Sequence, residues 1–293
     1  MRILPDAKDL INIVEHDVGV TFDDLEQFLS NGQHKIVLTS TNVMEFVAPL
    51  SDNGDFLQMR TLLQKLERLP LCYMKETDIP LKELRAAKAA FDQKHNYQQI
   101  DPYVNRWDDT ISVSDKPTPT SPLVALRLDE IIYMIWKKDP TIFRFPSKEI
   151  GSLIRDQYQA KRQSTPAPRA LVKKEFGKYV QQQFRTWGLD TDSTNLLELA
   201  DWIYSDPNRC PGLRIFHDMR YEIIGAVTDK LNDNDTQDFA YLYAIPYVDA
   251  VTLDRRIRGY SDAVSQRLKK MTPSVDYTNR LFHTLGAVIE ANP

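Results

Sequence analysis

The spacing of apolar residues in the first third of the chain predicts strands that alternate with helices. Apolar runs at 2–4, 35–39 and 71–74 have the length of buried strands, and the stretch after each run carries apolar residues at helical spacing. A further helix, opened by Thr21, fits between the first two strands. Strand-to-helix units in succession predict an α/β fold with a parallel sheet covered on both faces.

The middle of the chain has a different pattern. Residues 96–122 show little periodicity and contain a proline-rich run, which predicts a loop. Helical spacing then returns, with no intervening strand, at 123–136, 147–163, 170–187 and 193–204. We therefore expect a large all-helical insertion at 96–210 within a discontinuous α/β core formed by 1–95 and 211–293.

After Pro211-Gly212 the strand-and-helix pattern resumes. The sequence predicts a helix, an acidic turn at 232–236 and a helix from Gln237, followed by the strand 250–252 and a basic helix. A short strand around Val275 and a helix over 279–291 are expected to end the chain.

Composition favours a water-soluble globular protein. The chain is 42% hydrophobic and 27% charged, and it contains no window near the roughly 20 apolar residues that a membrane span needs. The first residues have no basic region followed by an apolar run, so we expect a cytoplasmic protein. Cys72 and Cys210 are far apart and have no histidine at metal-ligand spacing, which argues against a disulfide scaffold or a zinc site.

Charge is unevenly distributed along the chain. The segment from Lys137 to Arg185 contains twelve Lys or Arg and four acids. Its local charge is therefore +8, in a chain whose net charge is −4. A helix in this region interleaves aromatic residues with five cations that could follow a phosphate backbone: Arg169, Lys173, Lys174, Lys178 and Arg185. A solvated helix face explains the same pattern.

The most specific chemistry lies near the carboxyl terminus. Asp238 opens a predicted helix, and Asp254 follows a predicted strand that ends in Thr252. This arrangement is similar to the carboxy-terminal signature of PIN-like nucleases, and the run Pro-Tyr-Val-Asp before the strand resembles large bacterial members of that family. The resemblance continues at the amino terminus, where Asp6 follows the first strand and Glu45 lies in the helix after the second.

The resemblance, which covers roughly 1–83 and 213–293, implies a Rossmann-like three-layer PIN-like core with four metal-binding acids: Asp6, Glu45, Asp238 and Asp254. Asp235 and Asp249 are further candidate ligands, and Ser40 and Thr252 are candidates for orienting a water or a phosphate oxygen. Lys8 departs from the family pattern, which commonly has Asn or Ser at that position. This lysine either helps to hold a phosphate or weakens the metal site.

Clustered carboxylates need a cation. Two of them about 4 Å apart repel by roughly 4 kcal/mol at an effective dielectric near 20, and hard oxygen ligands suit Mg²⁺ or Mn²⁺. Such a metal lowers the pKa of a bound water and stabilises charge on a phosphate. A structural interpretation is also open, since Asp6 and Asp254 could each cap the helix that follows. His217, in an apolar helix, is interpreted as structural.

The resemblance therefore implies a divalent-metal-dependent endonuclease, with RNA favoured over DNA because the family acts mostly on RNA. Two alternatives stay open: a non-catalytic nucleic-acid-binding or scaffold protein with this fold, and a structure-specific DNA nuclease. A homodimer or a regulatory protein partner is compatible with each of them.

Overall fold

A computed structural model describes residues 1–15, 19–52, 54–107, 127–138, 169–189, 195–225 and 241–292. Its centre is a six-stranded sheet in the order β4-β3-β2-β1-β5-β6. All neighbouring strands are parallel except β3 and β4, which are antiparallel. The predicted α/β class with a mostly parallel sheet is therefore confirmed.

The strands are short and the helices surround them. The strands are β1 (Arg2–Leu4), β2 (Lys35–Leu38), β3 (Leu71–Met74), β4 (Tyr103–Val104), β5 (Ala250–Thr252) and β6 (Leu281–Phe282). The described helices are α1 (Ala7–Glu15), α2 (Phe22–Asn31), α3 (Ser40–Asp52), α4 (Phe56–Leu66), α5 (Ile79–Asp92), α6 (Leu128–Lys138), α7 (Arg169–Thr186), α8 (Leu196–Ser205), α9 (Pro211–Gly225), α10 (Arg255–Met271) and α11 (Leu285–Ala291). Single 3-10 turns lie at Glu76–Asp78, Ile245–Tyr247 and Thr278–Arg280.

Both faces of the sheet are covered by helices. Because side chains alternate along a strand, Ile3 of β1 packs among α1 to α4, whereas Leu4 packs on the opposite face among α9 and α10. Ala250 and Val251 of β5 divide between the same two clusters. The strand interiors are apolar because helices cover both faces of the sheet, whereas Arg2 and Lys35 at the starts of β1 and β2 are exposed.

Local sequence fixes where the helices begin. Thr39 precedes α3, and its hydroxyl accepts a hydrogen bond from the Asn42 N–H at 3.2 Å, while the Asn42 side chain accepts from the Thr39 N–H at 2.6 Å. This reciprocal pair satisfies two donors at the helix start, as a capping box does. Thr21 caps α2 in a similar way, as predicted, by accepting from the Asp24 N–H.

Two strands and two helix starts differ from the prediction. The last helix, expected over 279–291, begins at Leu285, because a 3-10 turn and β6 precede it. The region expected to be a loop contains β4, whose two residues give no alternating pattern, and β6 lies at Leu281–Phe282 rather than around Val275. Val275 is buried in a turn after α10. Helix α9 begins at Pro211 itself, because proline fits the first position of a helix, where no N–H is needed.

The described helices of the predicted insertion pack in two places. Helix α6 joins the cluster of α4, whereas α7 and α8 form a third apolar cluster with α5 and α9. The predicted helix over 147–163 lies outside the described residues. Among those that are described, no helix is both long and apolar enough to cross a membrane.

Candidate functional site

Five parallel strands end at one edge of the sheet, which we call the carboxyl edge. The strand order reverses between β1 and β5, because β2 and β3 lie on one side of β1 and β5 and β6 on the other. In open α/β sheets, ligands bind beyond the carboxyl ends of the strands at such a point. The side chains that follow β1 and β5 therefore lie where a ligand would bind.

Thr252, the last residue of β5, joins the end of β5 to the end of β1. Its buried hydroxyl oxygen accepts a hydrogen bond from the backbone N–H of Asp6 at 2.7 Å, and the hydroxyl donates to the Asp9 carboxylate. Asp6 Oδ1 accepts from the backbone N–H of Lys8 at 2.8 Å, so its predicted role as a cap of α1 is confirmed. Thr252 therefore orients two aspartates at the switch point.

Asp254 lies at the same point, two residues after β5. It is exposed, and its Oδ1 accepts from the backbone N–H of Ile257 at 2.7 Å, which confirms its predicted role as the cap of α10. Its negative charge helps to raise the pKa of Asp6, so the two carboxylates are close enough to interact. A capping role leaves a carboxylate available for other contacts.

Glu76 occupies the equivalent position two residues after β3, and it is fully buried. Its Oε1 accepts from the Ser40 hydroxyl at 2.9 Å, from the Thr41 hydroxyl at 2.7 Å and from the Thr41 N–H at 3.1 Å. The carboxylate thus lies at the amino end of α3, where the helix dipole favours negative charge. Ser40, predicted to orient a water or a phosphate, donates to this glutamate.

Glu45 lies one turn along α3 from Thr41 and is mostly buried. Its Oε2 accepts a hydrogen bond from the hydroxyl of Tyr241 at 2.5 Å. Tyr241 begins the described segment that leads to β5, so this contact brings that segment to the carboxyl edge. We refer to Asp6, Asp9, Glu45, Glu76 and Asp254 together as the acid row.

The electrostatics of the acid row favour the uptake of positive charge. Burial raises the pKa of Glu45 to about 7 and that of Asp9 to about 6, and the charge of Asp6 contributes to both shifts. Burial is also the main reason that the pKa of Asp6 is raised, and the nearby Lys8 acts in the opposite direction. Asp6, Asp9 and Glu45 therefore bind protons more readily than exposed carboxylates do.

The donor set fits a hard divalent cation. All of these side chains offer carboxylate oxygens, and two buried ones, Asp9 Oδ2 and Glu76 Oε2, accept no hydrogen bond. Within the described ranges, no three Asp, Glu, His or Cys side chains are grouped so that they could hold a metal ion. Mg²⁺ is often held by one or two carboxylates with several waters, so pairs from the row are sufficient.

Asp249 lies apart from the acid row. It precedes β5, and both its N–H and its carboxylate bond to the backbone of Arg2, at 2.9 and 2.7 Å, where β1 begins. It is therefore at the opposite edge of the sheet, about 16 Å along the extended chain from Asp254. Asp235 and Asp238 lie outside the described residues, so their predicted roles stay predictions.

Sequence reasoning missed Asp9, Glu76 and Tyr241, although one signal pointed to Glu76. Asp6, Glu76 and Asp254 each follow the last residue of a strand by two positions. That recurrence places a carboxylate at three strand ends of the same edge. Asp9 and Tyr241 give no comparable signal, because their places in the row depend on contacts with Thr252 and Glu45.

The cations of helix α7 are on its exposed side. Lys173 pairs with Asp201 at 3.1 Å and Lys178 with Glu175 at 2.6 Å, and both lysines remain exposed. Exposed pairs of this kind contribute little to stability and leave the charge accessible to a polyanion. Lys174 and Arg185 are exposed as well, and Arg169 begins the helix.

Two of the aromatic residues between these cations face inward, whereas Tyr179 is half-buried. Phe176 and Phe184 are fully buried in the third apolar cluster, so neither can stack on a base. His217 is also buried and packs edge-on against Phe176 with their ring centres 4.9 Å apart. The structural interpretation of His217 is confirmed.

Comparisons with protein-family models, with curated proteins and with solved structures find no match to this chain. The PIN-like resemblance therefore rests on the quoted residues of the sequence alone.

Proposed function

We propose that this protein is a divalent-metal-dependent nuclease with a PIN-like core, that it hydrolyses phosphodiester bonds, and that RNA is its preferred substrate. The observation that carries the proposal is the convergence of Asp6 and Asp254, from strands far apart in the sequence, at the switch point of a parallel sheet. Such a point is where open α/β sheets bind their ligands.

The surroundings of these acids support a metal site. Glu45, expected from the resemblance, lies in the same acid row, and its charge and that of Asp6 interact. Burial raises the pKa values of Glu45 and Asp9, and the charge of Lys8 offsets the rise at Asp9 only in part. Bound Mg²⁺ or Mn²⁺ would supply an activated water and stabilise charge on the phosphate.

The residues of the chain have distinct tasks in this proposal. Pairs drawn from Asp6, Glu45, Asp238 and Asp254 hold the cation, and Thr252 fixes Asp6 and Asp9. Lys8, whose charge acts on Asp6, contacts a phosphate of the substrate in this proposal. The exposed cations of α7 contribute to the binding of the nucleic acid.

An assay with labelled single-stranded RNA, single-stranded DNA and a flapped DNA duplex in Mn²⁺ tests the proposal. We expect cleavage of RNA by the wild type and a loss of at least about 100-fold in Asp6→Asn, since a ligand of the metal is removed. Asp249→Asn is the matched control, because it neutralises an acid at the opposite edge of the sheet, and it should cleave at the wild-type rate.

The same assay separates the alternatives. Preferential cleavage of the flapped duplex identifies a structure-specific DNA nuclease. Binding of RNA without cleavage, unchanged by chelation of divalent ions and by Asp6→Asn, identifies a non-catalytic nucleic-acid-binding protein.

A further inference from the structure

Two buried glutamates, seven residues apart, differ in one respect. Glu76 and Glu83 are both fully buried, and each caps the amino end of a helix from a distant part of the sequence. For Glu83 both oxygens are used, because Oε1 accepts from the Gly212 N–H at 2.7 Å and from the Tyr247 hydroxyl, and Oε2 accepts from the Leu213 N–H at 2.8 Å. Glu83 is therefore a structural cap, and both of its oxygens have hydrogen-bond partners.

For Glu76 only one oxygen is used. Ser40 and Thr41 direct three donors at Oε1, whereas Oε2 has no hydrogen-bond partner and no contact with solvent. A buried carboxylate oxygen without a partner is unfavourable, since it has lost the hydrogen bonds that water gave it. A capping role explains Oε1 but gives no reason for a second oxygen in this position.

Glu76 interacts with another member of the acid row. Thr41, which bonds Glu76, and Glu45 are four residues apart on one face of α3, and the charges of Glu45 and Glu76 interact. Two carboxylates, the nearby hydroxyls and bound waters form an oxygen-rich set of the kind that Mg²⁺ and Mn²⁺ accept.

We propose that Glu76 is a cation ligand, which binds through Oε2 and shares a divalent metal ion with Glu45. This inference rests on the proposed function, because the cation is the one that the nuclease would use. The three donors on Oε1 hold the carboxylate in place and leave Oε2 for the cation. The acid row thereby extends from β5 through β1 and β2 to β3.

Calorimetric titration of the full chain with Mn²⁺, together with thermal unfolding with and without Mn²⁺, tests this role. We expect Glu76→Gln to lower the affinity for Mn²⁺ by at least about 10-fold and to reduce the rise in melting temperature that Mn²⁺ produces in the wild type. Glu83→Gln is the control: it should lower the melting temperature with and without Mn²⁺ alike and leave the affinity unchanged.

A measurement on the wild type covers the case in which Glu76→Gln does not fold. Paramagnetic Mn²⁺ broadens the NMR signals of nuclei near it, so the backbone amide signal of Glu76 should broaden more strongly than that of Asp249 at the opposite edge of the sheet. Equal responses of the two signals would overturn the proposal, as would wild-type affinity in Glu76→Gln.

The two proposals fail in different ways. If the wild type binds Mn²⁺ and cleaves RNA while Glu76→Gln keeps full affinity, Glu76 is only a helix cap and the nuclease proposal stands. If the wild type neither binds Mn²⁺ nor cleaves any substrate, both proposals are wrong.

Discussion

The hydroxyl oxygen of Thr252 accepts a hydrogen bond from the backbone N–H of Asp6 at 2.7 Å, and this bond joins the carboxyl ends of two neighbouring strands. The same hydroxyl donates to Asp9. One buried side chain thus aligns two acids at the switch point of the sheet, as the support of a metal site requires.

Replacement of this hydroxyl should affect both stability and metal binding. Thr252→Val keeps the shape of the side chain but leaves the Asp6 N–H without its acceptor, and we expect a loss of about 1–3 kcal/mol in the free energy of unfolding. Mn²⁺ affinity should fall as well, and Thr252→Ser should restore it. Denaturant unfolding and calorimetry measure the two effects.

Thr61→Val is the control for this substitution. The Thr61 hydroxyl is exposed and bonds only to the Leu57 carbonyl of its own helix, so the change in stability should stay below about 0.5 kcal/mol. If both variants lose the same free energy of unfolding, the Thr252 hydroxyl contributes no more to stability than an exposed one.

Gly212 is required by its surroundings. A Cβ at this position would lie 2.6 Å from the carbonyl oxygen of Tyr243 and 3.0 Å from Cγ2 of Ile79. Gly212→Ala should therefore destabilise the protein by about 1–3 kcal/mol, because the backbone at the start of α9 must move. A smaller loss would mean that this helix start is loosely packed.

Gly259 gives the matched comparison. It lies inside α10 with no atom within 4 Å of an added Cβ, so Gly259→Ala should stabilise the protein by roughly 0.5–1 kcal/mol through helix propensity. Thermal unfolding of the two variants side by side should give shifts of opposite sign.

Glu83 should make stability depend on pH. Burial raises its pKa from 4.5 to about 7, although the Tyr247 hydroxyl and two backbone N–H groups act in the opposite direction. Below pH 4.5 the side chain is protonated in both states and its contribution is fully present. Between pH 4.5 and 7 the unfolded chain releases the proton first, so stability falls as the pH rises.

The expected size of this effect is about 3 kcal/mol at most, from 1.36 kcal/mol for each pKa unit. Urea unfolding at pH 5 and pH 8 measures it, and Glu83→Gln should flatten the dependence. If the wild type gains stability over this range while Glu83→Gln does not, the carboxylate is ionised in the folded protein and the prediction is wrong.

The exposed cations of α7 should bind nucleic acid through charge alone. Loss of Lys174 and Arg185 should reduce the slope of log affinity against log salt by about 1.4, since each phosphate contact with a single strand contributes about 0.7. Affinity for RNA should fall without a change in base preference. Lys270→Ala, which removes an exposed cation from α10, should have no effect on the slope.

Much of the fold was predictable because its determinants are local. The apolar runs that form β1, β2, β3 and β5 are bounded by capping or turn residues, and Thr21 marks the start of α2. Strands β4 and β6 have two residues each, too few for a pattern, and they form because a neighbouring strand offers a free edge.

The site was predictable only where position along the chain decides it. Asp6 and Asp254 each follow a predicted strand, so the sequence indicates that both lie at the carboxyl edge of the sheet. Glu83, by contrast, caps α9, which begins 128 residues later in the chain. Such a partner depends on how helices pack, and no local spacing encodes it.

The location of a bound Mn²⁺ ion tests the central claim most directly. Crystals of the wild-type protein soaked in Mn²⁺ should show an anomalous density peak at the carboxyl edge, within about 2–2.5 Å of carboxylate oxygens of Asp6 or Glu45. The peak should be absent from Asp6→Asn crystals and present in Asp249→Asn crystals. If crystals soaked in saturating Mn²⁺ show no peak at the acid row, or a peak only beside Asp249, the carboxyl edge is not the metal site.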